Sequence, residues 1–383
     1  MTNVEFPSTW LPLADSILKA SLVLMSAAVA THILRRASAA LRHLIWTIAL
    51  VSALLMPMLS LALPRWQFPL VTVASSEMPP VSDAKALRAP AISRERDLPT
   101  TPSVAASASI DSATPARDTF WTRLSNMTFE RALLGIWALG VLLIIARVVI
   151  GVIAVQWMAR RGQRVLDAPW MKMAVQLASE VGVSSNITFL RNRGASMPMA
   201  CGVLRPAVLM PEEADEWPTD RLRIVLLHEL AHVKRHDCLT HLVAQVACAF
   251  HWFNPLAWMA ARQVRTERER ACDDLVLAAG TRGPDYADQL LEIARVMRAG
   301  RYPGVLAGAT LAMAHRSQLE GRLMAILDPR VPHAALTRLR AAAATTVCCA
   351  AVVPVAALQP WVQASPKEPA VVIAPASPRV EPQ

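Results

Sequence analysis

Long apolar runs recur along the chain and are separated by polar segments. They cover residues 11–34, 44–63, 132–157 and 341–358. Each run is close to the ~20 apolar residues that an α-helix needs to cross the hydrocarbon region of a bilayer. The pattern therefore predicts a polytopic α-helical membrane protein with four spans, of which the first two form a hairpin within residues 1–63.

Arginines adjoin one end of every run. They are Arg35, Arg36, Arg42, Arg160, Arg161, Arg164, Arg338 and Arg340. Because Lys and Arg concentrate in cytoplasmic loops, residues 35–43 and 158–340 are expected in the cytoplasm and both termini outside it. Arg147 lies inside the third run, where it either faces the bundle interior or extends towards the inner surface.

Two segments have the composition of chains that bury no core. Residues 64–131 are rich in Pro, Ser, Ala and Thr, and residues 359–383 are rich in proline. We predict an extracytoplasmic low-complexity loop and an extracytoplasmic tail. For the loop, a sensing or partner-binding role and a plain linker both stay open.

Residues 158–340 have the periodicity of a water-soluble α+β domain. Helices are predicted at 170–181, from 218–220 onward, at 241–253, 255–279, 286–297 and 316–327, and strands at 187–190 and 207–210. Thr219 or Asp220 is expected to cap the second helix. The third is too short for a span, so it is either a core helix or one that dips into the bilayer interface.

Composition agrees with a membrane protein. The 383 residues are 54% hydrophobic with a mean hydropathy of +0.34, which is too apolar for an ordinary soluble protein. The formal net charge of +10 does not indicate direct nucleic-acid binding, because the basic residues cluster beside the apolar runs. The six cysteines lie in segments predicted to be cytoplasmic or membrane-embedded, so reduced thiols are expected.

An HExxH sequence formed by His228, Glu229 and His232 lies in an apolar, helix-periodic run. On an α-helix positions 228 and 232 are about 40° apart, so both imidazoles can bind one Zn²⁺. Glu229 is then placed to take a proton from the water that attacks a peptide carbonyl. Alternatively, the five residues occur by chance and the histidines are ordinary solvated or core residues.

A third ligand is sought downstream, where Glu269 and Asp273 form an ExxxD pair. Their spacing puts both carboxylates on one helix face, so Glu269 can bind the metal while Asp273 holds a ligand imidazole from behind. His236 is the competing third ligand. Zincins that use a later histidine turn the chain with a glycine, whereas Lys234 and Arg235 are expected to continue the helix here, so Glu269 is preferred.

The chain resembles the BlaR/MecR family of bacterial membrane metallopeptidases over roughly residues 160–330. The resemblance rests on LLHELAHVKRHD at 226–237, HWFNP at 251–255, RERACDD at 268–274 and CGVLRPAVLMP at 201–211. It implies a protein of the bacterial inner membrane whose gluzincin-like zincin domain faces the cytoplasm. It also implies that His228, His232 and Glu269 bind zinc and that Glu229 is the general base.

The tail departs from the best-known receptors of that family, which carry a penicillin-binding domain at this end. About 25 residues are too few to fold such a domain, and the tail has no SxxK acylation motif. Direct β-lactam sensing by this chain is therefore not expected.

A strand beside a zincin cleft often supplies an edge on which an extended substrate pairs, and we expect this arrangement here.

Together these features predict a membrane-embedded zinc endopeptidase that cleaves a cytoplasmic protein, by family analogy a transcriptional repressor, in envelope-signal transduction. The expected partners are this substrate and the lipid bilayer, with a membrane partner protein or a homodimer left open. One alternative is an HtpX-like quality-control protease, which shares the HExxH and ExxxD pattern. Another is a non-catalytic transducer or scaffold in which zinc only holds the fold.

Overall fold

The computed structural model describes residues 10–63, 66–69, 129–183, 187–192, 197–299, 316–329, 333 and 336–361. Most of the predicted outer loop and tail lie outside these residues. The chain divides into two units, one formed by residues 1–67 with 134–359 and the other by residues 68–133 with 360–383. The cores and the site described below lie in the first unit.

Helices dominate the described residues. They are α1 (Trp10–Ile33), α2 (Ala39–Ala62), α3 (Phe129–Arg161), α4 (Met171–Val181), a 3₁₀ helix (Glu212–Glu216), α5 (Thr219–Lys234), α6 (Asp237–Phe250), α7 (Pro255–Ala278), α8 (Gly283–Ala299), α9 (Arg316–Leu327) and α10 (Arg338–Ala357). The strands are β1 (Trp66–Pro69), β2 (Gln163–Arg164), β3 (Thr188–Arg191), β4 (Met199–Cys201), β5 (Ala207–Met210) and β6 (Leu358–Trp361).

Four of these helices are long and apolar enough to cross a membrane. The qualifying segments are Ala14–Ile33, Ala39–Ala62, Arg131–Arg161 and Arg338–Ala357. They correspond to the four runs found in the sequence. The second helix begins five residues before its apolar run, because the turn containing Arg42 and His43 is already helical.

The first core, here called the bundle core, joins α1, α2 and α10 to α6 and the first half of α7. Its buried members are Ala20, Val23, Leu24, Ala27, Ile45, Trp46, Ala49, Leu50, Ala53, Met56, Ala244, Ala247, Cys248, Ala257, Ala260, Ala261, Val264 and Ala356. Buried Lys19 adds a polar link, because its Nζ lies 2.5 Å from Asp15 Oδ2 and donates to Ser60 Oγ at 3.4 Å and to the Ala356 carbonyl at 3.2 Å. Three helices therefore share one charged group.

The second core, here called the sheet core, joins α4, α5, α8, α9 and the second half of α7 to one face of a sheet. Its buried members are Val165, Trp170, Ala174, Leu177, Ala178, Val181, Phe189, Val208, Met210, Ala214, Leu222, Ile224, Val225, Leu226, Leu227, Leu230, Val233, Val276, Tyr286, Leu290 and Ile326. Met158, near the end of α3, packs on the opposite face with Leu190 and Leu209. The last turns of α3 thus pack against the sheet.

The sheet has the strand order β2-β3-β5-β4. β3 and β5 are parallel, with Phe189 opposite Val208, and β4 runs antiparallel to β5, with Ala200 opposite Val208. All four residues of β5 are buried, as expected for a central strand. β4, which the sequence analysis did not predict, forms the edge beside α5. The other small sheet consists of β1 and β6.

Two predictions about α5 are wrong. Pro218 is the residue before the first turn and no side chain caps it, so neither Thr219 nor Asp220 has the expected role. The helix also ends at Lys234 instead of continuing, because His236 adopts a left-handed conformation with φ 54°. Histidine is one of the non-glycine residues that tolerate this region, so the chain turns here without a glycine.

The long helix α7 begins as the sequence predicts. Pro255 occupies the first turn, where its missing N–H costs nothing, and the side chain of Asn254 accepts a hydrogen bond from the Leu256 N–H at 3.0 Å. Further along α7, the buried carboxylate of Glu267 pairs with Arg42 of α2 at 2.8 Å. This helix therefore runs from the bundle core into the sheet core.

Candidate metal centre

Three buried side chains from two helices converge on one point. His228 and His232 follow each other on one face of α5, and Glu269 faces them from α7. Glu269 Oε2 lies 3.6 Å from His228 Nε2 and 4.0 Å from His232 Nε2. Ligands of a tetrahedral zinc ion, at about 2.1 Å from the metal, stand roughly 3.4 Å apart, so a zinc ion fits between these atoms with little adjustment.

Glu269 supports this assignment through its hydrogen bonds. Its Oε1 accepts two from Arg268, at 3.1 and 2.8 Å, whereas its buried Oε2 has no hydrogen-bond partner. A buried carboxylate oxygen without a donor is costly unless a cation compensates it. This oxygen points at both imidazoles, and Arg322 Nη1, at 3.5 Å, forms an ion pair with it but no hydrogen bond.

Charges around the site favour an ionised carboxylate. Burial by itself raises the pKa of Glu269, but Arg268, the two histidines and Arg322 together hold it well below its usual range. Burial likewise opposes protonation of His232, yet Cys272, Asp237 and Glu269 raise its pKa well above the ordinary value. The surroundings thus favour positive charge at this point, which either a proton or a metal ion supplies.

The imidazole of His232 is held from behind by Asp237. His232 Nδ1 lies 2.7 Å from Asp237 Oδ2. Burial raises the pKa of Asp237, but the hydrogen bond from His232 and the charge of Arg235 outweigh it, so the net shift is downward. An ionised carboxylate only accepts hydrogen bonds, so Nδ1 carries a proton and Nε2 is the nitrogen left to bind a metal ion in place of a second proton.

The imidazole of His228 is held by Tyr286 together with Asp273. The Tyr286 hydroxyl donates to Asp273 Oδ1 at 2.6 Å and lies 3.1 Å from His228 Nδ1. A phenol has one proton, so it must accept from Nδ1, and His228 Nε2 is again the free ligand atom. Arg322 fixes Asp273 with two hydrogen bonds, at 2.8 and 2.6 Å.

Cys272 lies beside the Asp237 pair. Its Sγ is 3.3 Å from His232 Nδ1 and 3.4 Å from Asp237 Oδ2. These three residues could form a metal group of their own. His232 offers only Nδ1 to this group, however, and Asp237 already holds that nitrogen at 2.7 Å, whereas Nε2 is left for the group that includes Glu269. We therefore assign this group to support of His232.

Glu229 occupies the side of the site that faces the sheet. Its Oε2 accepts a hydrogen bond of 2.6 Å from the Ala200 N–H of edge strand β4. The Ala200 carbonyl in turn accepts from the Cys238 thiol at 3.6 Å. The outward N–H and carbonyl of Ala200 are therefore both occupied, by side chains of the HExxH helix and of the start of α6.

A cavity of about 420 Å³ opens next to this edge. Its wall includes His232, Ala200, Cys201, Lys234 and Leu204. The Leu204 side chain is 92% exposed at its rim. The arrangement provides a partly apolar space for a side chain on one side of the candidate metal point.

The structure thus brings His228, His232, Glu269 and Asp273 together, with Glu229 alongside. It places His236 on the surface, outside the metal group found among the described residues.

Sequence reasoning missed the roles of Asp237, Tyr286, Arg322 and β4. Asp237 stands five residues after His232, and on a continuous helix its side chain would have pointed away from that histidine.

Fold and site define a helical protein with four candidate membrane spans and a buried site of two histidines and one carboxylate. The sequence model of the family described as BlaR1 peptidase M56 matches residues 11–326. The chain belongs to this family of metallopeptidases, which confirms the predicted resemblance.

Two kinds of relative are similar in sequence. The chain is 27% identical to the regulatory protein BlaR1 of Bacillus licheniformis over 153 residues, which are 40% of this chain and 26% of the relative. It is 29% identical over 93 residues to the methicillin resistance mecR1 proteins of Staphylococcus aureus strain Mu50 and Staphylococcus epidermidis, which are 24% of this chain and 16% of each relative. The matched segments thus span about a quarter or less of these relatives.

Proposed function

We propose that the chain is a membrane-embedded zinc endopeptidase that cleaves a cytoplasmic protein as a step in envelope-signal transduction. The convergence of His228 Nε2, His232 Nε2 and Glu269 Oε2, an oxygen without a hydrogen-bond donor, carries the proposal. Three protein ligands leave a fourth position free, as catalytic zinc sites require. The names of the relatives, a regulatory protein and a methicillin resistance protein, support a signalling role, and by family analogy the substrate would be a transcriptional repressor.

His228, His232 and Glu269 would hold the zinc ion. When bound, zinc supplies a Lewis acid that polarises the scissile carbonyl and lowers the pKa of a water molecule. Asp237 and the Tyr286–Asp273 pair keep both imidazoles in the tautomer and orientation that this requires.

Glu229 acts as the general base in this proposal. Its carboxylate takes a proton from the attacking water and delivers it to the amine that leaves. A substrate backbone that pairs with β4 would take over the Ala200 N–H, from which Glu229 Oε2 now accepts, and would free that oxygen. Pairing of the substrate with β4 and release of the base would be one event.

The arginine-bearing ends of the four spans support a cytoplasmic position for the site in the bacterial inner membrane. The chain would then reach its substrate from the membrane surface without contacting nucleic acid. An HtpX-like quality-control protease would differ from the proposed signalling protease in its substrate. A scaffold would differ from it by cleaving no protein.

Metal content tests the ligand set. We expect one tightly bound zinc per purified chain by elemental analysis, lost in Glu269→Ala and retained in Glu229→Gln. An unchanged zinc content in Glu269→Ala, with loss in His236→Ala, would contradict the proposal and make His236 the third ligand.

Proteolysis tests the function separately. Peptides from cells that express the wild type are compared with those from cells expressing Glu229→Gln, with Glu180→Gln on the exposed face of α4 as the matched control. Cleavage of a repressor that disappears only in Glu229→Gln supports signalling. Cleavage of misfolded membrane proteins instead would favour quality control, and identical peptide sets would favour a scaffold.

A further inference from the structure

The α6–α7 hairpin is unusually apolar for a segment between two halves of a catalytic site. From Cys238 to Ala261 the sequence contains no Asp, Glu, Lys or Arg. The hairpin leaves the site at Asp237, turns at residues 251–254, and returns along α7 to Glu269. Its charge-free part therefore points away from the metal centre.

The tip of this hairpin contacts the candidate spans. Asn254 Nδ2 donates to Ser21 Oγ of α1 at 2.9 Å. On α3, Trp137 Nε1 donates to the Phe250 carbonyl at 3.1 Å, and Trp252 Nε1 donates back to the Trp137 carbonyl at 3.3 Å. A side chain at Gly140 would overlap the Trp252 indole, so the third span and the tip are in direct contact.

Helix geometry gives the depth of the tip. The Arg42–Glu267 ion pair marks the arginine-bearing end of α2. Asn254 precedes Glu267 by thirteen residues of α7, or about 20 Å at 1.5 Å per residue. Its partner Ser21 lies twelve residues above the end of α1 at Ile33, or about 18 Å. Both distances put the tip more than halfway across a hydrocarbon region of about 30 Å.

Packing around the hairpin is that of a membrane bundle. Its buried contacts with α1 and α2 are made by small side chains, which let helix backbones approach closely where no hydrophobic effect drives association. They are Ala244, Ala247, Cys248, Ala257, Ala260 and Ala261.

The turn at the tip is irregular, yet its polar groups have internal partners. The carbonyls of Phe250 and Trp252 accept from the indoles of Trp137 and Trp258, at 3.1 and 2.9 Å, and Asn254 uses both ends of its amide. In hydrocarbon no water is present to satisfy a turn, so non-helical backbone survives there only when protein groups pair with it.

We propose that the α6–α7 tip is a re-entrant hairpin that lies within the bilayer and presents Phe250, Phe253 and Trp258 to lipid acyl chains. These three residues are 42%, 40% and 37% exposed, and the Phe250 ring lies 6.1 Å from that of Trp137 on α3. Of the two alternatives for this segment, the proposal favours entry into the bilayer over a core helix. It also removes the tip from the part of residues 158–340 predicted to be cytoplasmic.

One consequence concerns the metal centre. α7 carries Asn254 and Trp258 at lipid depth and Glu269 at the other end. A change in bilayer thickness or in the position of α3 would then act on the helix that supplies one of the candidate ligands.

Photo-crosslinking to lipid tests the proposal on the full chain in vesicles of phosphatidylethanolamine and phosphatidylglycerol. Phe253 is replaced by p-benzoylphenylalanine, a close match in shape, and the irradiated protein is analysed by mass spectrometry. We expect a mass increase of one phospholipid. p-Benzoylphenylalanine in place of Leu142, which is 63% exposed on α3, is the positive control. The same substitution at Leu204, which is 92% exposed beside β4, is the negative control.

A second label at Trp258 protects the test against misfolding at one position. Lipid adducts at 253 and 258, in yields comparable with position 142, support the re-entrant hairpin. Adducts absent at both positions but present at 142 overturn it. Crosslinks from both positions to a second copy of the chain also overturn it, because protein and not lipid would then cover the tip.

Discussion

The two cores of this protein are built from different side chains. Among the described residues, ten of the eighteen buried members of the bundle core are alanine, against three of the twenty-one in the sheet core. The sheet core instead buries Leu177, Leu226, Leu227 and Tyr286 almost completely. The bundle core is therefore packed mainly with alanine and the sheet core with large apolar side chains.

The difference reflects the two solvents. In water, burial of large apolar side chains is the driving force, worth roughly 25 cal/mol per Å² removed from solvent. In a bilayer the acyl chains are as apolar as leucine, so close backbone approach and a few polar links matter more.

The largest expected difference is between two leucine-to-alanine substitutions, one in each core. Leu177→Ala in the sheet core should destabilise that core by about 2–5 kcal/mol, through lost transfer energy and the cavity left behind. Leu50→Ala in the bundle core should cost less, since its transfer term is small in lipid. Thermal proteolysis of both variants in the same vesicles measures this, and equal losses would contradict the distinction between the cores.

The next largest effect is expected from the polar side chains that orient the histidines of the candidate metal centre. Tyr286→Phe keeps the ring but removes the hydroxyl between His228 and Asp273. Metal affinity should fall about 10–100-fold, as for other residues that orient a ligand. Competition with a chelator gives the affinity. Circular dichroism should show an intact fold, and an unchanged affinity would remove Tyr286 from the site.

Enlarging a small residue should specifically harm the bundle core. Ala260→Leu inserts volume where α7 meets α2 and should cost about 1–3 kcal/mol through overpacking. Ala146→Leu on the exposed face of α3 is the control and should be nearly neutral. Thermal proteolysis again measures the change. If both variants behave alike, close helix packing is not what holds the bundle core together.

The smallest effect is expected from two helix caps. Asn254 caps α7 within the bundle and Thr337 caps α10 at an exposed position, where it accepts from the Arg340 N–H at 3.3 Å. Cap loss costs about 0.5–2 kcal/mol. Asn254→Ala should lie at the upper end, because it also removes the hydrogen bond from Asn254 Nδ2 to Ser21 Oγ, and Thr337→Ala at the lower end. The reverse order of unfolding temperatures would place the tip in water.

Much of the secondary structure was predictable from the sequence, but the support of the site was not. The long apolar runs and the strand at 207–210 are recovered because periodicity and length are local properties. Asp237 was missed because the left-handed His236 redirects the chain, and no local pattern announces a left-handed histidine. β4 is three residues long, too short for an alternation to be recognised.

The sequence by itself determined four helices of membrane length, the spacing that puts His228 beside His232, and the family. Each follows from local periodicity or from residue identity at fixed spacing. Only the tertiary structure decided that Glu269 meets both histidines, that Tyr286 and Arg322 support the site from behind, and that the turn at 251–254 contacts α1 and α3. These depend on contacts between distant segments, and an apolar helix has the same pattern whether protein or lipid surrounds it.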